Sequence, residues 1–473
     1  MSSTVQEPKL SDAIAAQHPV VHRGWNRPRP VIDHGEGIYL YDQDGNRYLD
    51  GSAGTSVIAN IGQGVLSVVE AMYEQGKRVS FAAPHVFTNA PMLKLGQMIQ
   101  ERAPGTMRNN CRVWFSCTGS NAVDDSVRLA RQYAVAVGKA SKYVVLSRWQ
   151  QFHGNDVSMA GFAGHTARRR MLYPMFVNSP HIPPAFCYRC PFGDTHPQCG
   201  LKCAHALETL IRQIGEENVS AFIAEPVVGA ALASVAAPEG YFEVIRDTCD
   251  KYGVLLIVDE VMTAWGRLGT WFAMDQYGVT PDIIATSKGL TAGYTPLACT
   301  IASEEVWQAI EDTGAPFMAG HTMSENPVSC AAGVATFEYV EARNLVGNAK
   351  EVGDYLLDRL HELLEFDIVG DVRGRGLMCG IEFVRDKETR EPFPPELKVC
   401  GLVFSEALDR GMITFPCTGS VDGVAGDMML VTPPLIITRE QVDEMMDIFK
   451  ESIEAAQARL TDWKPPAEHK IHY

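Results

Sequence analysis

Basic residues are in the minority in this 473-residue sequence: 41 Lys and Arg face 57 Asp and Glu, a formal charge of −16 at neutral pH. A nucleic-acid binder carries a clustered basic footprint, so no nucleic-acid partner is expected. Long apolar runs are also missing. The longest, such as residues 254–258, fall far short of the ~20 residues that span a bilayer, and no membrane association is expected. The opening MSSTVQEPKLSDAIAAQ lacks the basic start and apolar block of a secretory signal. Cysteine is thinly spread, 12 residues over the whole length. A disulfide scaffold is therefore not expected, and a reducing cytoplasm is. No internal repeat, low-complexity tract or GxxxxGK[ST] phosphate loop occurs. What is present is ordinary for a globular protein, with 46% hydrophobic and 21% charged residues. At roughly 100–200 residues per domain, the length predicts two or three domains or one large α/β unit. The acidic balance does not exclude small anionic ligands, which are held by local backbone groups and helix dipoles.

Hydrophobic patterning divides the chain into three parts. In residues 1–74, GIYLYDQDGNRYLDG holds two strand-like runs joined by Asp44-Gly45, a hairpin signal. In residues 75–329, short apolar runs at 113–116, 143–146, 221–224, 254–258 and 283–285 are separated by helix-length amphipathic stretches. Continuous apolar runs at that spacing are what a parallel sheet covered on both faces requires. Residues 330–473 read as a second, smaller α/β domain joined by the N-terminal strands. It has helices at 331–341 and 351–364, a turn plus strand in GDVRGRGLMCGIEFV, and a last helix at 438–460 capped by Thr438.

Ligands of open parallel sheets bind beyond the carboxyl ends of the strands, so the residues that follow each run carry the chemistry. After the first run come Thr118, Gly119 and Ser120, opening a helical pattern. Unpaired N–H groups at a helix start make a phosphate cradle, although an ordinary capped turn has the same appearance. After the fourth run come Asp259 and Glu260, and a carboxylate buried there calls for a cationic partner. After the fifth come Ser287 and Lys288. A lysine at the mouth of a buried strand is a candidate for a depressed pKa and for Schiff-base chemistry, and a solvated lysine is the commoner case. Together, a phosphate cradle, a carboxylate and a lysine match the needs of pyridoxal 5'-phosphate: one group for its phosphate, one for its ring nitrogen, one for its aldehyde.

The runs LIVDEVMTAWGRLGT and PDIIATSKGLTAGYTPL carry the DEV, GRxG and SKGLxxGYxPL pattern. With them the chain resembles the class III (omega-type) aminotransferases of the fold type I pyridoxal-phosphate enzymes over nearly its whole length. The resemblance implies an α/β fold with a large, mostly parallel-sheet domain and a smaller α/β domain. It also implies a ping-pong transfer of an amino group from an amine or omega-amino acid to a keto acid. An aminomutase, racemase or decarboxylase on the same fold is the alternative, and a non-catalytic binding module is a more distant one. By the resemblance, Lys288 holds the cofactor and shuttles a proton, and Asp259 pairs with the ring nitrogen. Val261 and Phe152 cover the two ring faces, and Gly119 and Ser120 hold the phosphate. Thr322 adds a hydroxyl from the neighbouring subunit, which implies a homodimer or higher homo-oligomer. His153 and Glu225 lie beside the cofactor as packing and positioning groups, and Arg267 is structural. No metal is expected at this site.

Departures from the pattern bear on the substrate. The ring-stacking position, often tyrosine in the family, is Phe152. Members acting on ornithine or acetylornithine carry a carboxylate-binding arginine where this chain has Leu430. The alternative arginine of amine–pyruvate members is missing too, since residues 411–429 contain none. A diacid such as 2-oxoglutarate is therefore disfavoured and pyruvate favoured, with Arg168, Arg169 and Arg170 left as cations that could reach the pocket. Trp25 and Trp149 are candidates for the pocket wall or for ordinary packing, as are His85 and His321. Cys187, Cys190, Cys199 and Cys203, spaced C-x2-C-x8-C-x3-C, have a spacing that can hold zinc; a surface insertion with packed thiols is the other reading, and both stand at this point.

Overall fold

A computed structural model describes residues 29–177 and 179–461; Trp25 lies outside the described residues. The described chain opens with β1 (Ile32–Glu36), β2 (Tyr39–Asp42) and β3 (Arg47–Asp50). β2 and β3 form the expected antiparallel hairpin. The Asp42 carboxylate accepts from the N–H groups of Asp44 and Asn46, and Gly45 supplies the turn's φ of +83°.

Next come β4 (Cys111–Ser116), β5 (Val144–Arg148), β6 (His181–Ile182), β7 (Val219–Ala224), β8 (Leu255–Asp259), β9 (Ile283–Thr286) and β10 (Ala298–Ser303). They make one seven-stranded sheet in the order β4-β10-β9-β8-β7-β5-β6. All five runs singled out in the sequence are strands of it. β10 was not among them, and it alone runs antiparallel to both of its neighbours, β9 and β4. Its sequence, ACTIAS, lacks the branched apolar run that marks a buried strand. It is buried nonetheless because a hydroxyl in it is satisfied internally: Thr300 donates to the Ala122 carbonyl at 2.8 Å.

Helices cover both faces of the sheet. On one face Leu146, Phe222 and Val258 pack against Leu207 and Ile211 of helix Lys202–Ile214 and Phe242 of helix Tyr241–Tyr252. On the other, Val145, Ile223 and Ile257 meet Val123 and Leu129 of helix Gly119–Ala136. Each such side chain contributes roughly 1.5–3 kcal/mol by leaving water. This two-sided cover is why the strands read as unbroken apolar runs.

Apart from a short hairpin of Val227–Val228 with Val235–Ala236, the remaining strands are β11 (Val369–Arg375), β12 (Met378–Phe383), β13 (Met412–Ile413), β14 (Phe415–Val421) and β15 (Ala425–Val431). β11-β12-β15-β14 is an antiparallel sheet. The expected turn plus strand in GDVRGRGLMCGIEFV is in fact two strands, β11 and β12. They reverse at Gly376, whose φ of +53° and tight seat against the Leu268 backbone exclude a side chain. β13 pairs in parallel with β3, so strands far apart in the chain share one sheet. The last helix, Arg439–Thr461, is capped as expected: Thr438 Oγ1 accepts from Gln441 N–H, and Gln441 Oε1 from Thr438 N–H. Among the described residues, no helix is long and apolar enough to cross a membrane.

Candidate active site

Strands β4, β5, β7, β8 and β9 all point the same way, so their carboxyl ends open on one side of the sheet. A cavity of about 370 Å³ lies there. Its walls include Gly119, Ser120, Phe152, His153, Glu225, Asp259, Val261 and Lys288, which stand up to 169 positions apart in sequence (288 − 119).

The helix start after β4 is built for close approach. Thr118 Oγ1 accepts from the Asn121 N–H at 3.2 Å, and Thr118, Gly119 and Ser120 at this helix start all line the cavity. A Cβ on Gly119 would stand 3.0 and 3.2 Å from the two γ-carbons of Val261, so only glycine lets the helix start and Val261 meet. Ser120 Oγ accepts from the Asn155 N–H at 3.3 Å. The loop after β5 carries Phe152, His153 and Gly154. It is anchored from below by Glu225, which follows β7 and accepts from Phe152 N–H at 2.8 Å and Gly229 N–H at 3.0 Å.

Asp259 ends β8 and is 4% exposed. One carboxylate oxygen accepts from His153 Nδ1–H at 2.8 Å and the other from Val261 N–H at 3.0 Å. An ionised carboxylate has about four acceptor positions, so Asp259 retains capacity toward the cavity. Nε2 of His153, buried, has no hydrogen-bond partner among the described residues. Glu225 lies close enough to Asp259 that burial and the neighbouring charge together hold its carboxyl above the usual carboxylate range. Lys288 follows β9 with φ of +46°, a conformation that costs energy for any residue but glycine. Burial lowers its ammonium to about 8, against the opposing pull of Asp259 and Glu225. A cavity thus combines a helix N-terminus, the apolar side chains of Phe152 and Val261, a hydrogen-bonded carboxylate and a lysine whose ammonium burial lowers to about 8. The set suits a flat, phosphorylated aldehyde with a ring nitrogen.

Thr322 is not brought to the cavity within one chain; it lies exposed in the loop before helix Pro327–Ala342. Trp149 packs between Arg169, 4.8 Å from its ring centroid, and His181, 4.7 Å away, and does not line the cavity. His85 and His321 are exposed and also stand outside it. Arg267 is fully buried and donates to the carbonyls of Leu377 and Pro433 and to Asn60 Oδ1. The cysteines of the 187–203 loop are free thiols, and among the described residues no three His, Cys, Asp or Glu side chains are grouped to hold a metal ion. Sequence reasoning missed Ile58, Cys117, Asn155 and Thr295 as walls of the cavity. Asn155 and Cys117 adjoin residues already singled out, and that adjacency was the available signal. Ile58 comes from a distant loop and left none.

The family model described as "Aminotransferase class-III" matches residues 21–453. The chain is 35% identical over 461 residues to the Bacillus subtilis protein "Uncharacterized aminotransferase YodT", covering 97% of this chain and 99% of that one. It is 34% identical to the "Diaminobutyrate--2-oxoglutarate transaminase" of Halomonas elongata, covering 92% of each. Among solved structures, the amine transaminase from an uncultivated Pseudomonas species, in its PLP-bound form, superposes with a TM-score of 0.85. That match is at 32% identity over 93% of this chain and 98% of the other.

Proposed function

The chain belongs to the class III aminotransferases, and from that premise we propose that it moves an amino group from an amine or omega-amino acid to a keto acid, pyruvate in preference to 2-oxoglutarate, in a ping-pong sequence. Class III aminotransferases depend on pyridoxal 5'-phosphate, and so does this one. Once bound, the cofactor supplies the electron sink that lets a C–H bond beside the donor's nitrogen break.

In this reading the protein's own groups divide the work. Gly119 and Ser120 would hold the phosphate, and Val261 and Phe152 would cover the ring. Asp259 accepts the ring N–H and keeps that nitrogen protonated, while His153 fixes the Asp259 carboxylate. Glu225 holds the loop that carries Phe152 and His153. Lys288 Nζ would hold the cofactor through its aldehyde, and the same amine would carry the proton removed from the donor carbon. The observation that carries this reading is the convergence of Lys288 and the His153–Asp259 pair on one cavity.

Thr322 would reach the phosphate of a second copy, making a homodimer with shared sites. Exposed apolar side chains at Phe81, Val86, Phe87, Met318 and Met323 support a covered face. A cytoplasmic setting is in keeping with the free thiols. For the acceptor, Leu430 is fully buried in the core, and the segment that follows Gly411 has no arginine before β15 ends. The second carboxylate of a diacid would be left without a cation.

A donor amine mixed with holoenzyme alone should bleach the cofactor's visible absorbance in one stoichiometric burst, and pyruvate should restore it. Carbon dioxide release, or isomerised product without any acceptor, would overturn the transfer reaction; faster restoration by 2-oxoglutarate would overturn the preference. Asp259→Asn, which keeps shape and removes charge, is expected to lower kcat roughly 100- to 1,000-fold, as loss of one preorganised electrostatic group does. Single-turnover rates with a donor amine check this.

A further inference from the structure

Cys187 and Cys190 have no part in the cavity that takes the cofactor. Tyr188 and Arg189, the two residues between them, form a tight turn. The first and fourth Cα atoms of such a turn lie within about 7 Å of each other, and a disulfide bridges Cα atoms roughly 4.4–6.8 Å apart. The turn thus holds the two cysteines at bridging range with little backbone movement. Both also line a second cavity of about 760 Å³, between this loop and Ser420 and Val421 of β14. Cys187 is exposed and Cys190 half-buried, so a small oxidant in water reaches the first directly. Outside the 187–203 loop, every cysteine but Cys117 is buried.

The same turn is the loop's grip on the second sheet. Arg189 Nε donates to Glu382 of β12, and its Nη1 donates to the Arg390 carbonyl at 2.7 Å. Arg390 in turn donates to the Tyr188 carbonyl. Glu382 is fully buried, so this ion pair is a fixed point of the sheet. A bond between Cys187 and Cys190 would therefore enclose the two residues that hold β12. Burial raises the Cys187 thiol, and Cys190 and Cys199 nearby add to that effect. A raised thiol is a slow nucleophile, which suits occasional reversible oxidation and not rapid peroxide turnover.

We propose that Cys187 and Cys190 are a redox-active dithiol that a peroxide closes to a disulfide, and that closure restrains the Tyr188–Arg189 turn where it grips β12. The Cys187 sulfur attacks one oxygen of hydrogen peroxide, the O–O bond breaks, and a sulfenic acid and one water result. The Cys190 sulfur then attacks the Cys187 sulfur, the S–O bond breaks, the S–S bond forms and a second water leaves. Two thiols have given two electrons and two protons to the peroxide, and a dithiol reductant reverses the change by exchange. In a reducing compartment the open dithiol is the resting form, and the disulfide lasts only while oxidant is present. The loop lies outside the cofactor cavity, so failure of this pairing leaves the aminotransferase reading untouched.

The test uses holoenzyme reduced with dithiothreitol, freed of it, treated with hydrogen peroxide, alkylated and cleaved with trypsin. Cleavage after Arg189 parts the two cysteines, so their disulfide joins peptide 171–189 to peptide 190–202. That joined pair is expected as the main peroxide product and should be lost when dithiothreitol is returned. The second peptide also carries Cys199. The link should therefore persist in Cys199→Ser and disappear in Cys190→Ser. No link, or a link that needs Cys199 and not Cys190, would overturn the pairing. Stoichiometric zinc or iron in untreated protein, with the loop's thiols shielded from alkylation, would overturn it as well. Amide exchange in the oxidised wild type should slow over residues 188–190 and 382–391, and peroxide should produce no such slowing in Cys190→Ser. Unchanged or faster exchange in the wild type would overturn the restraint on the turn.

Discussion

Lys288→Ala is expected to reduce turnover by about 10,000-fold or more, since it removes both the covalent attachment point and the proton carrier. The fold should survive the change. Lys288 sits in a short turn after β9 whose neighbours are held independently: Ser287 Oγ donates to the Leu297 carbonyl at 3.0 Å, and Leu290 is fully buried in the core. Circular dichroism should therefore match the wild type, while bound cofactor should show the spectrum of a free aldehyde. Turnover above about one per cent of wild type would exclude Lys288 from both roles and with them the site assignment. A pH dependence follows from the same residue. A lysine in water ionises near 10.4, whereas burial lowers Lys288 to about 8. The neutral, nucleophilic amine thus increases as pH rises through about 8 and is largely protonated below it. Uptake of pyridoxal phosphate by cofactor-free protein should accelerate over that interval and then level off. A midpoint near 10 would show that the cavity does not tune this amine.

The second large effect concerns stability. Arg267→Leu is expected to cost roughly 3–5 kcal/mol, the range seen when one partner of a buried charged group is removed. Three acceptors lose their donor together: the Leu377 and Pro433 carbonyls and Asn60 Oδ1. Two of these are backbone groups, which no compensating substitution can make apolar. Asp50 also loses an opposing charge, and its carboxyl is already pushed up to about 6 by burial. The three contacts lie on the N-terminal loop, the approach to β12 and the segment after β15, so the arginine joins parts of the chain that are more than 200 residues apart (267 − 60 = 207). Urea denaturation with a fold-sensitive probe measures the effect. Asn60→Ala, which removes one acceptor and leaves Arg267 two, should cost less, on the order of 1–2 kcal/mol. A loss for Arg267→Leu no larger than that for Asn60→Ala would show that the buried charge is of little consequence.

What the sequence by itself determined is local. Strands β4, β5, β7, β8 and β9 were legible because a strand covered on both faces must be a short unbroken apolar run. Their carboxyl ends were legible as the place for polar chemistry because a polar group inside such a run is costly. Hence Gly119, Asp259 and Lys288 stood out before any distance was known. The hairpin at Gly45 and the cap at Thr438 were legible for the same reason: their partners lie within four residues. Only the tertiary structure decided what depends on the order in which strands are laid side by side. That order seats His153 on Asp259, 106 positions away, and brings Phe152 onto Glu225 across 73. It buries β10 despite its polar composition, leaves Thr322 on the surface of its own chain, and sets Arg168 against the Phe152 wall. Periodicity and capping act over one or two turns of chain, whereas these pairings are selected by the packing of the whole sheet, and no short window of sequence contains that information.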